Sequence, residues 1–543
     1  MSAILTLDGL TVSLPHGADR PHAMQDVSLS ISPGEIVCVV GESGSGKSMT
    51  ANAVMRLLPT GVAIESGRIL FEGRDLAAAS EAEMRRIRGA GIAMIFQEPM
   101  TALNPLRTIG DQIGEMFRIH SGLGRAQIAS QVLDLLTEVN IPDPQRAAKA
   151  YPHELSGGQR QRAMIAMALA LDPKVLIADE PTTALDVTTQ AQILKLIREL
   201  QARKGTAVLF ITHDFGVVAE IADRVVVMQH GLVVEQGAPR DVLERPTHPY
   251  TQQLIAAVPA LAPPPPRALS RETVLSVEEV SKTYRTGGLF GRGQRVTHAV
   301  KQVSLKLPKG ATLGIVGESG SGKSTLARCI IRLVDPESGR IVLEGEDITR
   351  LSRAEMRARS RRIQMVFQDP YGSLNPRRKA GDLVAQGLVV SGMPRRQALE
   401  RARELFGLVG LDPAAVDRYP HEFSGGQRQR IGLARALALE PDVLVADEPV
   451  SALDVSVQAQ VLRLLAELRE RLGLSIVFIT HDLRVAAQVC DLIAVMKDGE
   501  VVEAGTVSEV FGQRRHPYTR ALLASIPGQG VGTVAAEPAP AGI

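Results

Sequence analysis

Two long stretches of this chain are near-copies of each other. GESGSGKS at 41–48 returns at 317–324, FQEP at 96–99 returns as FQDP at 367–370, YPHELSGGQRQR at 151–162 as YPHEFSGGQRQR at 419–430, and ADEPTTALD at 178–186 as ADEPVSALD at 446–454. The spacing is 276 residues between Lys47 and Lys323 and 271 between Gln97 and Gln368. It then holds at 268 for Ser156 and Ser424, Asp179 and Asp447, and His213 and His481. Length differences are therefore confined to the first part of each copy. A repeat of this size is far longer than a solenoid unit and matches duplication of a whole domain. A chain of 543 residues also exceeds what one hydrophobic core, which stops growing at about 250–300 residues, can organise.

Each copy carries enough apolar material for its own core, since 45% of the residues are hydrophobic and 22% charged. Sixty-one basic residues against 59 acidic ones leave no strong positive field, so nucleic acid is not an expected partner. Cys38, Cys329 and Cys490 lie far apart in apolar segments, the pattern of small buried thiols rather than of a disulfide framework or a thiolate metal site. The opening MSAILTLDGLTVSLPHG lacks a basic leader followed by a long apolar run. No later segment offers the roughly 18 consecutive apolar residues needed to cross a bilayer.

The expected division is a first domain at 1–258, a proline-rich linker at 259–273, a second domain at 274–527 and a flexible Gly/Pro/Ala tail at 528–543. Short β-branched runs (35–40, 175–179, 207–212; 311–316, 443–447, 475–480) alternate with amphipathic stretches. This predicts α/β architecture, with a parallel-rich central sheet in each domain. Residues from about 98 to 155, and from about 370 to 423, have lower strand propensity and predict a mainly helical insertion.

GESGSGKS has the G-x-x-x-x-G-K-S pattern of a phosphate-binding loop between a strand and a helix. Its backbone N–H groups surround phosphate oxygens at the positive end of the helix. The expected nucleotide contacts are Gly41, Ser43, Gly44, Ser45, Gly46, Lys47, Ser48 and Met49 in one copy, and Gly317, Ser319, Gly320, Ser321, Gly322, Lys323, Ser324 and Thr325 in the other. Lys47 and Lys323 reach the β and γ phosphates, and Ser48 and Ser324 hold Mg²⁺. Asp179 and Asp447 end apolar strands, where a carboxylate is costly unless it serves a cation. Glu180 and Glu448 are placed to orient or deprotonate the attacking water. Gln97 and Gln368 can approach the metal or that water, and His213 and His481 can hydrogen-bond the γ-phosphate.

With these motifs in order, the chain closely resembles the ATP-binding subunits of ABC transporters, a fold of tandem P-loop nucleotide-binding domains, each with a helical subdomain. LSGGQ at 155–159 is that family's signature, and FSGGQ at 423–427 is a variant beginning with Phe423. The resemblance implies that each ATP lies between one domain's phosphate loop and the other's signature. Lys47 would then face Ser424, Gly425 and Gly426, and Lys323 would face Ser156, Gly157 and Gly158, with Gln427 and Gln159 also binding the nucleotide. It implies catalytic roles for Glu180, Glu448, His213, His481, Gln97 and Gln368, and metal roles for Ser48, Gln97, Asp179, Ser324, Gln368 and Asp447. Asp186 and Asp454 would link the paired sites. Tyr284 matches the family's adenine-stacking aromatic, whereas the corresponding position in the first copy is Leu14.

ERPTHPYTQQLIAAVP at 244–259 and GQRRHPYTRALLASIP at 512–527 follow the two cores. Read alone, HPYT is a turn opening a helix, with Thr251 and Thr519 able to cap it. It also resembles the C-terminal extension of oligopeptide, dipeptide and nickel importer ATPases, as do TALNP at 101–105 and GSLNP at 372–376. The resemblance implies a fused ATPase motor peripheral to the cytoplasmic face of the inner membrane, pairing its domains within one chain. It would work with two permease subunits and an extracytoplasmic solute-binding protein on short peptides. The alternatives are a motor for nickel, glutathione or another small solute, or a tandem ABC ATPase acting on ribosomes or nucleic acid.

Overall fold

The computed structural model describes residues 2–183, 185–286, 295–451 and 453–528. The tail expected at 528–543 therefore lies outside the described residues from 529 onward. Two compact units form: Pro259–Ile526 with Asp186–Thr188 in one, and the remaining described residues in the other.

The first unit is built on a six-stranded sheet in the order Leu232–Gly237, Arg224–Gln229, Ile36–Val40, Ala207–Ile211, Val175–Asp179 and Ile92–Ile95. All neighbours are parallel except the first pair. Strands 36–40, 175–179 and 207–211 are buried at every position, which explains their near-continuous apolar sequences. Beside it stands a four-stranded antiparallel sheet, in the order His22–Ile31, Leu5–Ser13, Ala63–Phe71 and Arg74–Asp75, which the sequence reading did not anticipate. Its strands alternate buried and open positions, and Leu5, Leu7, Leu10 and Ile69 share one core with Val37, Ile177 and Leu209 of the parallel sheet. Register shifts interrupt its pairing around Leu7–Ser13, weakening the period-two signal on which strand prediction rests.

The second unit repeats this plan. Its six-stranded sheet runs Ile363–Val366, Val443–Asp447, Ser475–Thr480, Thr312–Val316, Leu492–Lys497 and Glu500–Thr506, and its antiparallel sheet runs Arg295–Pro308, Thr273–Thr286, Ser338–Leu343 and Glu346–Asp347. The helical insertions expected at about 98–155 and 370–423 contain Ile109–His120, Arg125–Glu138 and Pro144–Lys149 in one unit and Ala380–Val390 and Arg395–Leu408 in the other, and are followed just beyond those bounds by Gly157–Leu169 and Gly425–Leu437. In the second insertion Phe423, the variant first residue of FSGGQ, is buried and meets Phe406 edge-on at 6.5 Å. An aromatic there adds core packing.

Residues 259–272 contain no helix or strand. They run along the second unit, where Leu261 and Leu269 touch its core clusters and Arg267 makes a two-pronged ion pair with Asp491, both contacts at 2.6 Å. Among the described residues no helix is long and apolar enough to cross a membrane. Cys38, Cys329 and Cys490 are buried free thiols.

Candidate nucleotide sites

Four adjacent parallel strands carry the candidate residues of each unit at their carboxyl ends, the edge at which open α/β sheets bind ligands. In the first unit, Ile36–Val40 leads into the glycine-rich loop and the helix Lys47–Met55. Ala207–Ile211 precedes His213, Val175–Asp179 ends on the Asp179–Glu180 pair, and Ile92–Ile95 precedes Gln97. The same order delivers Lys323, His481, Asp447, Glu448 and Gln368 in the second.

The loop conformation depends on glycine. Gly41 has φ +150° and a Cβ there would sit 2.2 Å from the Met228 carbonyl oxygen; Gly317 is in the same position against Met496. No side chain fits without moving a strand. Lys47 is buried, and its Nζ donates to the carbonyls of Gly41 at 2.7 Å and Glu42 at 2.8 Å. Lys323 does the same to Gly317 and Glu318 at 2.8 and 2.7 Å. Burial lowers the Lys323 pKa from its ordinary value.

Ser48 Oγ donates to Asp179 Oδ1 at 3.0 Å, and Ser324 Oγ to Asp447 Oδ1 at 3.1 Å. Burial pushes the Asp179 carboxyl up to about 6, against the hydrogen bond from Ser48, and raises that of Asp447 as well. A bound dication reverses that tendency by favouring the carboxylate. Each site thus pairs one hydroxyl with one carboxylate, hard oxygen donors of the kind Mg²⁺ takes together with phosphate oxygens and water.

Glu180 and Glu448 both sit at φ +46°, in the left-handed region that side-chain-bearing residues seldom enter. Each is held there by its own N–H, which donates to the carbonyl of Ile211 or Ile479 at 2.9 Å. Such left-handed residues with side chains cluster at functional sites. Glu180 Oε2 accepts from Gln97 Nε2 at 3.0 Å and Thr183 Oγ1 at 2.9 Å, and lies 3.2 Å from His213 Nδ1. Glu448 Oε2 accepts from Gln368 Nε2 at 2.9 Å and lies 3.2 Å from His481 Nδ1. Burial opposes ionisation of Glu180, but His213, Thr183 and the charge of Lys47 outweigh it and hold the carboxyl at about 2. Glu448 is lowered in the same way through His481. Both are ionised acceptors at neutral pH.

The SGGQ segments open helices Gly157–Leu169 and Gly425–Leu437. Ser156 Oγ accepts from Gln159 N–H at 3.3 Å while Gln159 Oε1 accepts from Ser156 N–H at 3.0 Å, a reciprocal cap repeated by Ser424 and Gln427. Ser156 and Gly157 are exposed, and open space surrounds the missing Cβ of Gly157. The first segment thus leaves Gly157 open at a helix start, whereas in the second Gly425 is half-buried and Gly426 is buried against Val457. Tyr284 lies in the strand Thr273–Thr286, with Lys282 Nζ 5.8 Å from its ring centroid, while Leu14 packs against the first core.

Some contacts were not expected from sequence. Arg20 donates to the Gly44 carbonyl of the first loop, and Gln161 Nε2 donates to the Pro181 carbonyl at 2.6 Å, tying the SGGQ helix to the residue after Glu180. In the HPYT segments the caps are His248 and His516, whose Nδ1 atoms accept from Tyr250 and Tyr518 N–H, because the helices begin at Pro249 and Pro517. Thr251 and Thr519 lie inside the first turn and are buried.

The ABC transporter profile matches residues 24–183 and 300–451. The profile of the oligopeptide/dipeptide transporter C-terminal region matches 234–290 and 502–536. Among similar proteins, the glutathione import ATP-binding protein GsiA of Salmonella typhimurium is 46% identical over 557 residues, covering 96% of this chain and 89% of that one. The peptidoglycan transport ATP-binding protein YejF of Agrobacterium fabrum is 48% identical over 526 residues, covering 96% of both.

Proposed function

This chain belongs to the ABC transporter ATPases, binding and hydrolysing ATP with Mg²⁺ in tandem α/β domains, and from that membership we propose that it drives import of short peptides or peptide-like solutes. The observation that most supports this cargo class is the oligopeptide/dipeptide C-terminal region occurring after both cores. One relative is named for glutathione, itself a tripeptide, and another for peptidoglycan transport. In this reading two separately encoded permease subunits form the channel, an extracytoplasmic receptor delivers the solute, and the chain works peripherally on the cytoplasmic face of the inner membrane. We assign 1–258 and 274–527 to the two motor domains, with 259–273 as connector and 528–543 as tail.

In the proposed mechanism the glycine-rich loops and their lysines hold the triphosphate. Ser48, Asp179 and Gln97, or Ser324, Asp447 and Gln368, would hold Mg²⁺, which would supply neutralisation of phosphate charge. Glu180 and Glu448 accept a hydrogen bond from the attacking water and fix its lone pair on the γ-phosphorus, while His213 and His481 hold the carboxylate and contact the γ-phosphate. The SGGQ segment of each domain completes the other domain's site, so ATP favours the paired arrangement and hydrolysis releases it. Fusion in one chain raises the effective concentration of one domain for the other. Affinity purification from membranes tests the assignment: recovery of two permeases supports it, and recovery of ribosomes without permeases reverses it.

The two sites are expected to differ in affinity. The first has Leu14 where the second has Tyr284, and Met49 where the second has the hydroxyl of Thr325. An aromatic face is worth about 0.5–1.5 kcal/mol in stacked contacts. Nucleotide titration of the full chain is expected to resolve a weaker and a tighter site, and Leu14→Tyr to bring them together. Two equal sites in the unsubstituted chain would contradict this.

A further inference from the structure

In each unit the C-terminal extension reaches back to the phosphate loop through one tyrosine. Glu42 N–H donates to the Tyr250 hydroxyl at 3.0 Å, and Glu318 N–H donates to the Tyr518 hydroxyl at 3.1 Å. Glu42 and Glu318 are the second residues of the two GESGSGKS loops. Their N–H groups belong to the same planar peptide units as the carbonyls of Gly41 and Gly317, which accept from Lys47 and Lys323 at 2.7 and 2.8 Å. One peptide plane is therefore held from opposite sides, by the loop lysine on its oxygen and by the distant tyrosine on its nitrogen. When the lysine turns to phosphate oxygens, the tyrosine remains as the tie that keeps the plane from rotating.

The tyrosines are themselves fixed. Each is the second residue of its helix, its ring is buried, and its own N–H is capped by His248 at 3.2 Å or His516 at 3.1 Å. A glutamate on the sheet's last strand anchors the approach to each cap. Glu235 accepts from Thr247 and His248 N–H at 2.8 and 3.2 Å, and Glu503 accepts from Arg515 and His516 N–H at 3.0 and 3.1 Å. Burial raises the Tyr518 pKa, so its hydroxyl stays protonated while it accepts. In the first unit the Tyr250 hydroxyl donates to Glu42 Oε2 at 3.4 Å. A tyrosine needed only for packing has no use for its oxygen, yet both hydroxyls meet the same loop amide.

We propose that Tyr250 and Tyr518 are positioning residues of the two ATP sites, setting the first peptide plane of each phosphate loop so that the following amides and the lysine converge on the phosphates. The HPYT extension thereby becomes part of the nucleotide site. The proposal rests on reading the GESGSGKS loops as ATP sites. Full-length chain carrying Tyr250→Phe and Tyr518→Phe retains both rings and loses only the hydroxyls. Its KM and Kd for MgATP are expected to rise about three- to tenfold, with kcat within about twofold of the unsubstituted chain; because the same hydrogen bonds exist without nucleotide, a fall in Tm of a few degrees accompanies the loss of affinity. An unaltered KM and Kd in the double variant, or a fall in Tm with nucleotide binding intact, would overturn the tyrosine role. Absence of MgATP binding by the unsubstituted chain would instead sink the ATP-site reading. Amide exchange supplies a second measure: the Glu42 and Glu318 N–H groups are expected to be protected in the unsubstituted chain, and rapid exchange there refutes the contact.

Discussion

Replacing both Glu180 and Glu448 with glutamine is expected to cut ATP turnover by about 10²- to 10⁴-fold while MgATP still binds, the range associated with removing a positioned acid–base group. Glutamine preserves the size of the side chain and its place on the left-handed backbone. It loses the charge that His213 and His481 face at 3.2 Å and the strong acceptor on which a water's proton depends. The glutamine amide presents a donor toward Gln97 Nε2 or Gln368 Nε2, themselves donors to the glutamate, so the local network must also rearrange. Nucleotide affinity depends on groups at the other strand ends and is expected to survive. Single-turnover measurements with each variant and the pair check this directly, and near-normal turnover in the double variant removes the assignment.

Substitution of Lys47 and Lys323 with methionine is the second large effect. Methionine keeps an unbranched stem in a buried slot, so the fold is expected to hold. What disappears is a cation that donates to two loop carbonyls and that, in the proposed mechanism, would donate to the β and γ phosphates. A charge-assisted hydrogen bond contributes about 1.5–3 kcal/mol, so MgATP affinity is expected to fall at least about tenfold in each site. Turnover is expected to fall by about 10²-fold or more, because the lost charge also faces the transition state. Equilibrium titration and steady-state hydrolysis separate the two effects. Unchanged affinity in the double variant contradicts the placement of these lysines.

Much of this architecture was legible because the chain states it twice. A lone glutamine or histidine after an apolar run says little, but Gln97, Glu180 and His213 recur in order as Gln368, Glu448 and His481, and the fold brings each trio to adjacent strand ends. The parallel strands were readable because burial on both faces makes them continuous apolar runs. The antiparallel sheet was not, since register shifts break the alternation along Leu5–Ser13 and its strands are open on one side. The helix caps of the HPYT segments were misread as threonines because a histidine capping through Nδ1 is outside the usual Ser, Thr, Asp and Asn set. The contacts of Tyr250 and Tyr518 with loop amides 208 and 200 residues away could not be read at all. Sequence patterns report local periodicity, and only the return of the chain against its own loop creates that hydrogen bond. What sequence did carry was the repetition of HPYT itself, which marked both segments as worth following.

The claim that this chain is the ATP-driven motor of an importer for short peptides is tested most directly by solute uptake in cells whose own copy is replaced by the Glu180→Gln, Glu448→Gln form. Accumulation of labelled di- and tripeptides, glutathione included, is expected to fall to the level of a strain lacking the chain for at least one of these solutes, and to return when the unsubstituted sequence is supplied. Undiminished uptake of every peptide, in cells shown to depend on no second motor for them, would contradict it.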